Sequence, residues 1–187
     1  MDTTLLISGI ALAGIGGHAL LSYNQLVSLR RRCQRAEADI DVQLRHRHDL
    51  VPQLVETARG FINQESAMFG QLVNAWKAAA SATSLRNRME AENIVSNSLQ
   101  NVMAALNSYP ELQSSEHFRE LRNEILDVEN KLNAARRFLN LAADEYNAAL
   151  DRFPGVFIAR LAGLKAYRYY SVGAERPIME EAPTLQF

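Results

Sequence analysis

Four side chains between positions 46 and 56 could do chemistry: His46, His48, Asp49 and Glu56. Imidazoles and carboxylates are both metal ligands and proton carriers. Ligands on one helix must share a face, and a helix turns about 100° per residue, so His46 and His48 point to different sides. The His-x-x-x-His and Glu-x-x-His spacings that hold metals in helical bundles are absent from the chain. A site across helices would have to recruit Asp127, Glu129 or Asp144. The favoured reading is structural: Asp39, Asp41, His48 and Asp49 satisfy arginines and the carbonyls freed by Pro52. The next reading is a partner-binding surface, because Arg45, His46, Arg47 and Asp49 would form a dense patch of mixed charge.

No nucleophile motif, glycine-rich phosphate loop or paired-carboxylate pattern appears elsewhere. Cys33 is the single cysteine, so there is no disulfide framework and no cysteine-rich zinc site. On an apolar stripe it reads as a small core residue. Trp76 and the methionines fit core positions better than a cofactor box. These observations predict a protein that is not an enzyme, with no catalytic residue, no cofactor and no metal. The formal net charge of -1 argues against a general nucleic-acid binder.

The elements that carry these residues are helices. The chain has 187 residues, room for one domain and a tail, with 48% apolar residues, enough for a core. It has five prolines, and most of its nine glycines sit at the N-terminus or near the C-terminal end. Positions 5–21 carry no charge and include Leu5, Leu6, Ile7, Ile10, Leu12, Ile15, Leu20 and Leu21. A run of about 17 residues is at the short end of what spans a bilayer. The early charge is Asp2 and no good cleavage site precedes Tyr23, so an uncleaved transmembrane anchor over 1–22 is expected. Gly9, Ala13 and Gly17 share one face, where small residues let two helices approach in lipid and self-associate. Arg30, Arg31, Arg32 and Arg35 follow the run, which places the rest of the chain on the cytoplasmic side.

Apolar seams stepping by three and four mark the helices that follow. One runs through Phe118, Leu121, Ile125, Val128, Leu132, Ala135, Leu139, Ala142, Tyr146, Ala149 and Phe153, with Ser114 as its expected N-cap and Pro154-Gly155 as its stop. Another runs through Leu26, Leu29, Cys33, Ala36 and Ile40, then Leu44, His48, Val51, Val55, Ala58 and Ile62. Pro52 lies inside it and should kink it. A third helix over 84–108 uses Leu85, Met89, Val95, Leu99, Val102 and Leu106, and ends at Tyr109-Pro110. Between the first and third lies a seam of Phe69, Leu72, Trp76 and Ala79. It could continue the first helix. Length decides for a turn near Asn63-Gln64-Glu65, because the long last helix, roughly 60 Å, then has neighbours along its seam. The expected fold is all-α: an N-terminal transmembrane helix followed by an up-down four-helix, coiled-coil-like bundle over 23–153.

Residues 154–187 form an amphipathic segment and a tail. Positions 153–170 mix apolar and aromatic residues with Arg160, Lys165 and Arg168. Phe157, Arg160, Lys165, Tyr167 and Arg168 are candidates for the membrane interface. The competing reading packs the segment on the bundle end or on a neighbouring subunit. Pro177, Glu180, Glu181 and Pro183 mark a flexible or partner-bound tail.

Several stretches resemble the LemA family: YNQLVSLR from Tyr23, AEADIDVQLRHRHDLVPQLVETARGF from Ala36, YPELQ from Tyr109, ENKLNAARRFLN from Glu129, YNAAL from Tyr146 and FPGVFIARLAGL from Phe153. The resemblance covers most of the chain. It implies bacterial origin, an N-terminal anchor and a helical bundle. Some members occur beside membrane metalloproteases, and magnetosome-building members are linked to membrane vesicle formation. Glu37 departs from the pattern, which often has Trp there. The combined expectation is a single-pass protein of the bacterial inner membrane. It acts as a self-associating scaffold or adaptor for a membrane protease or other membrane protein. The alternative is a membrane-remodelling or vesicle-organising protein that uses its anchor and C-terminal amphipathic segment. The expected partners are the lipid bilayer, further copies of the chain and a membrane protein, with no nucleic acid.

Overall fold

The computed structural model describes residues 2–60, 66–83 and 85–170, without the side chains at 2, 4–6, 11, 66, 85 and 86. The described residues form six helices and no strand: α1 (Asp2–Ala58), α2 (Ser66–Ser81), α3 (Leu85–Leu106), α4 (Pro110–Ser114), α5 (Glu116–Asp151) and α6 (Gly155–Ala162). The expected tail at 171–187, the turn residues Asn63-Gln64-Glu65 and the seam position Ile62 lie outside them. The described residues divide into two compact units, one of 2–41 with 134–169 and one of 42–133 with Tyr170.

The 42–133 unit is a four-helix bundle. Its core draws Leu50, Val51, Leu54 and Ala58 from α1, Phe69, Leu72, Ala75 and Ala79 from α2, Val95, Leu99, Val102 and Leu106 from α3, and Phe118, Leu121, Ile125 and Val128 from α5. Leu112 of α4 closes one end of this core. The turn after α1 is real. The Trp76 indole N–H donates to the His48 carbonyl at 3.1 Å. In one continuous helix those residues would be about 42 Å apart. Antiparallel packing of α1 and α2 brings them together and completes the core.

Two details differ from the sequence reading. The seam of α1 beyond Leu44 runs through Arg47, Val51, Leu54 and Ala58, which are all buried, while His48 and Val55 are half-buried. A charged residue thus stands where an apolar one was sought. The cap of α5 is Ser115 rather than Ser114: the Ser115 Oγ accepts from the Phe118 N–H at 3.4 Å, whereas the Ser114 hydroxyl donates to the Glu111 carbonyl inside α4. The short helix α4, opened by Pro110 at its first turn, uses up the residue that would otherwise have capped α5.

The 1–41 and 134–169 unit pairs the first part of α1 with the last part of α5, antiparallel. Leu26, Cys33, Ala36 and Ile40 are buried, as are Leu139, Ala142, Ala143, Tyr146 and Leu150. Cys33 is the core residue expected, and burial pushes its thiol pKa up, away from reactivity. Phe153 does not complete the α5 seam. The helix stops at Asp151, and the Phe153 ring is 80% exposed. Here α1 runs unbroken through 22–23.

Among the described residues no helix is long and apolar enough to cross a membrane. Residues 2–22 are helical as expected, but the transmembrane assignment finds no support in them. Leu5 and Leu6, which contribute to the apolar run, are among the side chains outside the described ones.

Candidate functional site

Arg47 is the centre of the 42–133 unit. Its side chain is 1% exposed, as is that of Glu92 on α3. The guanidinium donates through Nη1 to Ser96 Oγ at 2.5 Å and Glu129 Oε1 at 2.7 Å, and through Nη2 to the Glu92 carbonyl oxygen and carboxylate. Ser96 in turn donates to the second oxygen of Glu129 at 3.0 Å. The other Glu92 oxygen lies 3.1 Å from His48 Nε2. One arginine therefore ties α1 to α3 and α5, and its planar fork suits two carboxylates at once. The Arg47 Nε–H is buried with no partner among the described residues. Burial alone would raise the Glu92 pKa. The hydrogen bond from His48 and the charges of Arg47 and His48 outweigh it, so Glu92 sits below the usual carboxylate range.

The proline in α1 is accommodated by the same group of residues. Pro52 has no N–H for the His48 carbonyl. Trp76 supplies the missing donor, and its ring lies against the His48 imidazole with centroids 5.7 Å apart. The expectation that a side chain among Asp39, Asp41, His48 and Asp49 would satisfy the freed carbonyl is corrected: the Trp76 indole does so. The carboxylates that neutralise Arg47 are Glu92 and Glu129, not Asp39, Asp41 or Asp49.

Both carboxylates are committed to cations or hydroxyls, Glu92 to Arg47 and His48 and Glu129 to Arg47 and Ser96. Among the described residues no group of His, Cys, Asp and Glu could hold a metal ion. Of the other acidic partners considered for a cross-helix site, Asp127 pairs with Lys131 at 2.6 Å and Asp144 accepts from the Tyr169 hydroxyl at 3.2 Å. The proposed mixed-charge patch also loses a member. Arg45, His46 and Asp49 are exposed, but Arg47 turns inward. His46 reaches Glu124 of α5 at 2.9 Å. Glu56 is exposed beside Arg59 at 3.4 Å.

The second region of interest lies in the 1–41 and 134–169 unit, where α5 turns into α6. The Phe153-Pro154 peptide is cis. Gly155 is required there, since a Cβ would overlap the Ala149 carbonyl oxygen. Helix α6 ends at Gly163, whose φ of 64° favours glycine. Gly155 and Ala159 face inward, while Phe153, Phe157 and Leu161 face out, with Leu161 92% exposed. Phe153 and Phe157 meet edge to face at 6.0 Å. Arg160, Lys165 and Arg168 are exposed as well.

Tyr167 behaves differently from the other interface candidates. Its backbone N–H donates to Asn147 Oδ1 at 2.8 Å, and its carbonyl accepts from Asn147 Nδ2 at 3.0 Å. Its hydroxyl donates to Glu37 at 2.5 Å, and burial together with that carboxylate pushes its pKa up. Tyr167 therefore fastens the chain after α6 to α1 and α5. Glu37, the departure from the family pattern, is its acceptor. Burial and chain connection make Tyr167 part of the fold rather than of an exposed face.

A groove of about 470 Å³ opens at this turn. Ser22, Gln25, Leu26 and Leu29 of α1 line it, with Asp144, Glu145, Ala148, Ala149 and Arg152, and Phe153, Pro154 and Gly155 at its edge. The turn therefore lies beside the first residues after the apolar run of α1. In that run Ile7, Ile10, Leu12, Ile15, Leu20 and Leu21 are each at least two-thirds exposed. A Cβ at Gly9 or Gly17 would meet nothing within 4 Å, and Ala13 is exposed, so their shared face has no neighbour among the described residues.

The chain is 22% identical to the magnetosome protein MamQ of Magnetospirillum gryphiswaldense, over 89% of this chain and 71% of the relative. It is 21% identical, over the same shares, to magnetosome protein MamQ 2 of Paramagnetospirillum magneticum. Residues 36–187, which include the Arg47 cluster, the α5–α6 turn and α6, match the sequence model of the LemA family. The chain belongs to the LemA family.

Proposed function

We propose that this chain is a non-enzymatic scaffold attached to a membrane at two points, the apolar run of α1 and the outer face of α6. The observation that carries the reading is the exposed trio Phe153, Phe157 and Leu161, of which Phe153 lines a groove with Ser22 at the end of that run. Apolar rings rimmed by Arg160 and Lys165 suit the boundary between headgroups and acyl chains. Tyr23, 41% exposed and just after the run, suits the same layer. The likeness to magnetosome proteins suggests a membrane-associated helical protein and agrees with this reading.

In this reading α1 inserts in the bacterial inner membrane as a single pass, with Arg30, Arg31, Arg32 and Arg35 keeping the bundle on the cytoplasmic side. Copies self-associate through Gly9, Ala13 and Gly17. The exposed Arg45, His46 and Asp49 remain for a partner such as a membrane protease. Organising the bilayer itself is the second reading, and the α6 face favours it, since a shallow apolar wedge beside an anchor perturbs one leaflet.

Flotation of the full chain with vesicles of mixed zwitterionic and anionic lipids tests the two-point attachment. The wild-type chain should float. Phe157→Asp with Leu161→Asp should weaken flotation and restore accessibility of α6 to a soluble quencher. Failure of the wild type to float would remove the membrane reading. Unchanged flotation and quenching in the variant would leave α1 as the single point of attachment.

A further inference from the structure

We propose that the groove at the α5–α6 turn binds the headgroup of an aminophospholipid, a primary ammonium joined to a phosphate. The inference rests on the membrane reading above and names the lipid chemistry that the same end of the molecule selects.

Three observations lead to it. The first is position. Ser22 to Leu29 line the groove along α1, a rise of about 10 Å starting directly after the apolar run. The headgroup layer on each side of a bilayer is about 5–8 Å thick. When the run enters the hydrocarbon, the groove mouth therefore falls in the headgroup layer.

The second is charge. The groove carries two carboxylates, Asp144 and Glu145 of α5, and the guanidinium of Arg152, the residue that follows the end of that helix. Arg152 is exposed and takes part in no ion pair among the described residues. A guanidinium binds phosphate in bidentate fashion. The carboxylates each keep acceptor capacity. Asp144 gives one oxygen to the Tyr169 hydroxyl, and Glu145 meets Arg32 in an exposed pair of the kind that contributes little and exchanges readily. A primary ammonium donates three hydrogen bonds to such acceptors, whereas a trimethylammonium donates none. An anionic headgroup without an amine would place its charge and hydroxyls against two carboxylates.

The third is shape. The volume lies within the ~300–1,000 Å³ of small-molecule sites. Its wall is apolar where Leu26, Leu29, Ala148 and Ala149 meet, and its rim carries Phe153, the first of the rings that face outward. A headgroup in the groove leaves its acyl chains beside Phe153, Phe157 and the apolar run, where lipid chains belong.

The full chain in mild detergent is titrated with phosphatidylethanolamine, phosphatidylcholine and phosphatidylglycerol, and bound lipid is read by native mass spectrometry. Phosphatidylethanolamine should be retained at about ten-fold lower concentration than phosphatidylcholine. Asp144→Asn with Glu145→Gln should abolish that preference and leave weak binding of both. Arg152→Gln should weaken both alike, because both carry the phosphate. These residues are exposed, and a thermal melt verifies that each variant folds. Equal retention of phosphatidylethanolamine and phosphatidylcholine by the wild type overturns the proposal. Tightest binding of phosphatidylglycerol also overturns it, showing attraction to basic residues alone. Flotation on vesicles without any headgroup preference removes the groove and keeps the membrane reading, while absence of flotation on every vesicle removes both.

Discussion

Arg32 and Arg47 stand on the same helix, and each pairs with glutamate, yet their surroundings differ. Arg32 meets Glu145 at 2.5 Å with both side chains well exposed, and its guanidinium also lies 5.7 Å from the centre of the Phe138 ring. Arg47 is almost wholly enclosed, with two glutamates, a serine and a backbone carbonyl around it. In the first case water competes for every charge, and the pair contributes little. In the second, taking the charges out of water costs several kcal/mol per ion, and their attraction recovers it only while every partner is present. The comparison teaches that the number of ion pairs says little about what holds this protein together. The burial of each one says more.

Breaking the buried pair should have the largest effect. Arg47→Met leaves Glu92 and Glu129 without their cation inside the bundle, and the unfolding free energy should fall by about 3–5 kcal/mol in a urea or thermal melt. Adding Glu92→Leu and Glu129→Leu should restore much of it, because an apolar core of similar volume carries no desolvation cost. A triple variant as unstable as the single one would show that the cluster contributes net stability, beyond avoiding unpaired charge.

Acid sharpens the same contrast. The folded Glu92 pKa is lowered, so its contribution to stability is fully present above the unfolded carboxyl value, about 4.3. It is lost as pH falls through the lower folded value. Glu92→Gln should lower stability at neutral pH and flatten the acid limb of the stability profile, measured as melting temperature against pH. An acid limb unchanged by the substitution would assign it to other carboxylates. The smallest effect belongs to Arg32→Ala. It should cost about 1 kcal/mol or less and shrink further in high salt. A loss comparable to that of Arg47→Met would erase the distinction between the two arginines.

Much of the helical architecture was legible because seams are a local signal. The α5 seam from Phe118 to Tyr146 is buried except for the half-buried Ala135, and the turn before α2 follows from length alone. The candidate sites were less legible. An apolar seam through Leu44, His48 and Val51 passes over Arg47, which is the residue that is buried. The three-and-four stepping Leu44, Arg47, Val51, Leu54 and Ala58, set against Glu92 three before Val95, was a signal for a buried ion pair. The exposed face of α6 was read as amphipathic, but Tyr167 was grouped with it, since its acceptors Glu37 and Asn147 are far away along the chain.

The sequence by itself determined where helices run, that they are apolar along one side, and that 5–21 carries no charge. Those properties come from side-chain period and backbone propensity, which act within a few residues. Tertiary structure alone decided that Arg47 is buried, which donor caps the carbonyl freed by Pro52, and that Phe153 lines a groove with Ser22 while Phe157 and Leu161 turn outward. Each of these depends on a partner brought in from another helix. A charge is tolerated in a core, and a polar atom satisfied there, through groups that become neighbours when the chain folds.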